Sequence, residues 1–195
     1  DNFYLVQGDA LELNLDDLIV EKLGAPHRCK VVANLPYYIT TPLVMHFLEQ
    51  GFSIDRIVIM VQKEVAERFA ANPGKKDYGA ITVSLNYYGA VRNAFTVPRQ
   101  MFTPQPDVDS AVVDIQPWVE KPLQAKDENL FHRLVKAAFG QRRKTRNNAL
   151  KTMQLDSALV QSALAQCEID GTRRGETLSV AEFVALSNAI SEAIN

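Results

Sequence analysis

The run Arg56-Ile57-Val58-Ile59-Met60-Val61 limits the possible folds more than any other stretch of the chain. Nearly every residue in it is apolar, which is the pattern of a strand buried on both faces in a parallel sheet. Parallel neighbours need a long crossover, usually a helix. The sequence has that rhythm. Strands are expected at 3–6, 30–33 and 56–61, and helices at 16–23, 41–50 and 63–71. Gly24 and Pro26 close the first helix, Thr41 reads as the N-cap of the second with Pro42 as its first residue, and Asn72-Pro73-Gly74 stops the third. A helix at 78–87 precedes strands at 90–97 and 110–115 with no helix between them, so the last pair is expected as an antiparallel hairpin at the sheet edge. The class is α/β, with a doubly wound Rossmann-like sheet.

The rhythm stops at Pro117. Residues 117–127 mix prolines with charges and read as a linker. Helices are expected beyond it at 128–140, 147–153, 157–166 and 179–190. Ser179-Val180-Ala181-Glu182 fits a capping box at the start of the last one. The organisation is therefore an α/β domain over 1–118 and a small α-helical domain over 119–195.

Composition bounds the partners. A net charge of −2 over 195 residues gives no global basic field, so any nucleic-acid contact must be a local patch. Cys29 and Cys167 are too few for a zinc site or a disulfide framework and read as free thiols in a reducing, cytoplasmic setting. No apolar run reaches membrane-span length, and no metal constellation, Walker loop or Ser/His/Asp set is visible. His46 falls on an apolar helix and reads as packed rather than catalytic.

The residues suited to chemistry follow the second strand. Asn34-Leu35-Pro36-Tyr37 ends the apolar run Val31-Val32-Ala33. Asn34 offers a side-chain oxygen as acceptor. Pro36 fixes its own φ and pushes Leu35 towards an extended conformation, which suggests a stiff turn aiming carbonyls outward. Tyr37 offers a π face for a base taken out of its stack. Acceptors gripping the N–H groups of an adenine amine would free its lone pair for attack on an electrophilic methyl, a catalysis of positioning and electrostatics. Gly8-Asp9-Ala10 follows the first strand, where Asp9 either meets an adenine amine or ribose or caps its own turn. Phe102, on the proline-stiffened segment Phe102-Thr103-Pro104-Gln105-Pro106, is either a platform for the other face of the base or core beneath the hairpin. Arg142, Arg143, Lys144 and Arg146, flanked by Arg133, Lys136 and Lys151 with no acid between, suit a phosphate backbone or form a solvated basic face. Arg173-Arg174 is either a second small basic site or plain surface.

Several blocks together carry a resemblance: GDAL at 8–11, VVANLPYYITTPL at 31–43, VIMVQKEVAERFAA at 58–71, YGAITVSLNYY at 78–88, FTPQPDVDSAVV at 102–113, AAFGQRRKTRNNAL at 137–150 and ETLSVAEFVALSNAI at 176–190. In this order they resemble the ribosomal RNA adenine N6,N6-dimethyltransferases of the small subunit, whose superfamily also holds the erythromycin-resistance enzymes. The helical tail is similar to the small-subunit group. The resemblance implies a class I methyltransferase sheet, present in part, and S-adenosylmethionine as donor, with Gly8, Asp9, Ala10 and Asn34 near it. It implies that Asn34, Leu35 and Pro36 hold the target amine, that Tyr37 and Phe102 sandwich the base, and that Arg142, Arg143, Lys144 and Arg146 touch rRNA. The implied partner is the immature 30S-type subunit, with two methylations on each of two adjacent adenines and no membrane or metal. The family's glycine-rich donor loop is missing ahead of GDAL, so the chain is expected to be a fragment that binds donor weakly. The alternatives are a non-catalytic rRNA-binding assembly protein and a large-subunit resistance methyltransferase.

Overall fold

Local chemistry sets the first helix. The Asn14 side chain accepts from the amides of Asp16 and Asp17, each at 3.1 Å, and both acids favour the positive end of the helix dipole. Gly24, at φ 76°, provides the left-handed residue that ends it. In this computed structural model, which describes residues 3–36, 38–140, 153 and 155–194, the elements in chain order are α1 (Leu15–Leu23), β1 (Cys29–Asn34), α2 (Thr40–Glu49), β2 (Ile54–Gln62), α3 (Lys63–Phe69), α4 (Ala80–Tyr88), β3 (Gly89–Val97), β4 (Ser110–Pro117), α5 (Glu128–Gly140), α6 (Ser157–Gln166) and α7 (Val180–Ile194).

The chain divides into two compact units, 1–66 with 88–119, and 67–87 with 120–195. The first holds a four-stranded sheet in the order β1-β2-β4-β3. β1 and β2 run parallel across the α2 crossover, while β4 is antiparallel to both β2 and β3. The late hairpin therefore closes the sheet as expected, with β3 at its edge. Ile57, Ile59 and Val61 of β2 and Ala111, Val113 and Ile115 of β4 point to one fully buried face. The opposite face is less covered than the apolar run suggests: β2 alternates between buried and half-buried, and Val32 of β1 is 78% exposed. β1 lies at the other edge, so its sequence is hydrophobic without being enclosed.

Two local expectations are corrected. Residues 3–6 form no strand, because no neighbouring strand among the described residues pairs with them, and Phe3 and Leu5 are exposed. α2 begins at Thr40, with Ile39 and not Thr41 in the N-cap position. The hydroxyl that matters is that of buried Thr40, and Pro42 sits inside the first turn, where amides need no helical partner. The helix expected over 147–153 lies almost wholly outside the described residues.

In the second unit, segment 67–87 is tied to distant helical residues. The Tyr78 hydroxyl donates to the Leu178 carbonyl at 2.8 Å and the Gly74 amide donates to the Glu176 carbonyl at 2.7 Å. Tyr87 stacks on Phe131 with ring centroids 4.5 Å apart, and its hydroxyl donates to Glu128 at 2.9 Å. Burial pushes the Tyr87 phenol up to about 12, so it stays protonated as a donor. The capping box at α7 forms in both directions: the Ser179 amide reaches Glu182 at 2.8 Å, and the Glu182 amide reaches the Ser179 hydroxyl at 3.2 Å.

Candidate active site

The sheet register brings two of the expected segments to the same end of the strands. Asn34, the last residue of β1, pairs with Met60, and two residues further along β2 Gln62 pairs with Ser110, the first residue of β4. The 98–109 segment, which joins β3 to β4, is therefore rooted at the end of the sheet from which the Asn34 turn leaves. Neighbouring strands are about 4.8 Å apart and residues about 3.3 Å apart along a strand, so the two roots, separated by β2 and offset by two residues along it, stand roughly 12 Å apart. Asn34 and Pro36 are exposed, and Leu35 is half-buried.

The turn is fixed from beneath. The Pro36 carbonyl accepts from the Ile39 amide at 3.2 Å and from the Thr40 hydroxyl at 3.1 Å. This corrects the expectation that both carbonyls of the turn aim outward, because the first turn of α2 occupies Pro36. The acceptors left to consider for an amine are the Asn34 side-chain oxygen and the Leu35 carbonyl. Tyr37 lies outside the described residues.

Phe102 is half-buried and caps a 3-10 turn over Arg99–Met101, with its amide donating to the Arg99 carbonyl at 3.3 Å. Sequence reasoning missed the residue that fastens this segment. Asp109 accepts the Arg99 amide on its carboxylate at 3.0 Å and the Lys63 amide on its carbonyl at 3.0 Å. Arg99 adds a guanidinium bond to the Asp107 carbonyl at 3.0 Å. An aspartate bonding a backbone amide ten residues away leaves no periodic signature.

Asp9 is held in its own turn. Its carboxylate accepts the Leu11 amide at 2.9 Å and its carbonyl accepts the Glu12 amide at 3.0 Å. Gly8 and Ala10 flank this turn. Residues 3–7 are not laddered into the sheet, so no strand register sets Asp9 against Asn34. Of the residues assigned to the donor, Asn34 has the chemistry and exposure to reach one, whereas Asp9 is partly used locally.

Arg142, Arg143, Lys144 and Arg146 lie outside the described residues. Arg173 does not offer a simple basic site: it ion-pairs with Glu182 and donates to the Thr177 carbonyl at 2.6 Å. Burial opposes ionisation of Glu182, but hydrogen bonds from Arg173 and Ser179 outweigh it and hold the carboxyl below its ordinary range. His46 packs edge-on against Phe52 with centroids 5.5 Å apart, as expected of a core histidine. Burial raises both thiols, Cys29 and Cys167, and neither is disulfide-bonded. Among the described residues, no group of three or more His, Cys, Asp or Glu gathers around a common point, and no helix is long and apolar enough to cross a membrane.

Two solved structures share this architecture. A dimethyladenosine transferase from Plasmodium falciparum aligns with a TM-score of 0.74 at 23% identity, covering 93% of this chain and 70% of that one. The 23S rRNA methyltransferase ErmE aligns with a TM-score of 0.63 at 21% identity, covering 91% and 78%. The fold is that of the Rossmann-like methyltransferases. In sequence, a ribosomal RNA small subunit methyltransferase A from Clostridioides difficile (strain 630) is 45% identical over 197 residues, covering 100% of this chain and 68% of that protein. The protein of the same name from Moorella thermoacetica is 46% identical over 194 residues, covering 97% and 67%. The ribosomal RNA adenine dimethylase family model matches residues 1–192, and the chain belongs to that family. Its members are enzymes that take methyl groups from S-adenosylmethionine.

Proposed function

We propose that the chain serves S-adenosylmethionine-dependent N6,N6-dimethylation of two adjacent adenines in small-subunit rRNA, on the immature 30S-type particle in the cytoplasm. The donor supplies a methyl group on a positively charged sulfur. The chain's own residues bind and orient the acceptor. Asn34 Oδ1 and the Leu35 carbonyl accept from the adenine amine, so its nitrogen moves towards tetrahedral geometry and its lone pair becomes available. Tyr37 and Phe102 hold the two faces of the extruded base. The second methylation begins from an amine with a single N–H, so one of the two acceptors must then tolerate a methyl group.

The 119–195 region, with Arg142, Arg143, Lys144 and Arg146, holds the rRNA backbone. Gly8, Asp9 and Ala10 lie towards the donor. The observation that carries the reading is the sheet register, which roots the Asn34–Pro36 turn and the Phe102 segment at the same end of the strands. Transfer of labelled methyl groups to separated ribosomal subunits tests the choice of substrate. N6,N6-dimethyladenosine is expected in small-subunit rRNA, and label confined to large-subunit rRNA would overturn it.

A further inference from the structure

We propose that Asp109 is a positioning residue, which acts through the Phe102 segment to hold that ring ready for the target base. The inference rests on the reading of Phe102 given above. Asp109 holds the segment at both ends of its span. Its carbonyl accepts the Lys63 amide at 3.0 Å, which ties the foot of the segment to the end of β2. Its carboxylate accepts the Arg99 amide at 3.0 Å, ten residues earlier in the chain. The Arg99 guanidinium donates to the Asp107 carbonyl at 3.0 Å and closes the same loop a second time. Phe102 lies between these closures, directly after the 3-10 turn that Arg99 opens.

The chemistry suits a platform. A base taken from an RNA stack must recover its stacking energy on an aromatic face, and does so only if that face is already in place. A twelve-residue connection without the two closures would have to be ordered at each encounter. Asp109 stands next to Ser110, the first residue of β4, so its backbone is anchored in the sheet while its carboxylate reaches back across the loop. The bonds are at the surface, so they fix the loop without belonging to the buried core.

The test uses the 195-residue chain and an RNA hairpin carrying 2-aminopurine at the target adenine. Stacking on an aromatic ring quenches the fluorescence of this base. Wild-type protein should quench it, and Phe102→Ala should quench it only in part, because Tyr37 still offers the other face. Asp109→Ala should reduce the stacked-to-unstacked equilibrium constant by about five-fold, the factor expected when a single hydrogen bond of ordinary worth is removed. Its overall RNA affinity should fall by no more than that factor. Asp109→Asn keeps an acceptor oxygen and should restore the quench, which a general loss of stability would not do. If Asp109→Ala does not fold by circular dichroism, Asp109→Leu, which keeps the bulk of the side chain without its acceptor, decides by the same readout. Wild-type quenching in the Asp109→Ala or Asp109→Leu protein, while Phe102→Ala has lost part of it, would overturn the positioning role alone. An Asp109→Asn variant as poor as Asp109→Ala would overturn it too. Full quenching with Phe102→Ala would instead remove the reading on which it rests.

Discussion

The Thr40 hydroxyl donates to the Pro36 carbonyl at 3.1 Å, joining the buried start of α2 to the tip of the turn after β1. The turn is thereby held by the helix that follows it as well as by its own proline. Thr40→Val keeps the shape and removes the donor. It is expected to destabilise the chain by about 1 kcal/mol, the usual worth of such a bond. Urea denaturation should show a lower midpoint at an unchanged slope.

Arg173 and the 142–146 cluster should behave differently in RNA binding. Arg173 is taken up by Glu182 and Thr177, so Arg173→Ala should lower the melting temperature and leave the salt dependence of rRNA binding unaltered. Neutralising Arg142 and Arg143 should instead flatten that dependence, by about 0.7–0.9 in log–log slope for each phosphate left without its cation. Filter binding over a salt series separates the two.

Glu182 predicts a pH dependence. Its folded-state pKa lies below the ordinary value of 4.5, so the unfolded chain holds the proton more tightly. The stability it contributes is present above that value and is lost as the pH falls through the folded pKa. Glu182→Gln should flatten the acid limb of stability as the pH falls below the ordinary value of 4.5 and through the lowered folded-state pKa, as measured by denaturant midpoints at successive pH values.

Gly89 begins β3 against the end of β4. A Cβ there would lie 2.6 Å from the Gln116 carbonyl oxygen and 3.0 Å from the Pro117 Cα, both of them backbone atoms with little room to yield. Gly89→Ala is expected to cost about 1–3 kcal/mol through overpacking. Gly79→Ala, where a Cβ meets nothing within 4 Å, is the matched control. Thermal melts of the two variants should diverge accordingly.

No two of the nine glycines are separated by a single residue, so the 195-residue sequence contains no G-x-G donor loop. Calorimetric titration of the chain with S-adenosylmethionine should show no binding in the micromolar range. Micromolar affinity would mean that Asp9 and Asn34 suffice for the donor.

Where structure depends on local pattern, the sequence was a good guide. Apolar periodicity and cap residues placed α1, α5, α6 and the Ser179–Glu182 box, and the continuous apolar run placed β2. Departures came where long-range pairing decides. Residues 3–6 have strand composition but no strand to join, and Val32 looks like core yet lies on an edge strand. At the site, the asparagine, the proline and the aromatic on its stiff loop were legible because their side-chain chemistry is unusual. The Pro36–Thr40 bond, the Asp109 closure and the capture of Arg173 by Glu182 were not, because each depends on which backbone atom a folded turn brings within 3 Å or so of a side chain.

The central claim is that the Asn34 side chain holds the adenine amine. Its most direct test is methyl transfer from labelled S-adenosylmethionine to immature small subunits by the protein at the full length its gene encodes, with Asn34→Ala alongside. Removing one preorganised polar group from the reacting centre predicts a fall in rate of about 10²–10³-fold, with subunit binding retained. Equal rates for the two proteins would contradict the account.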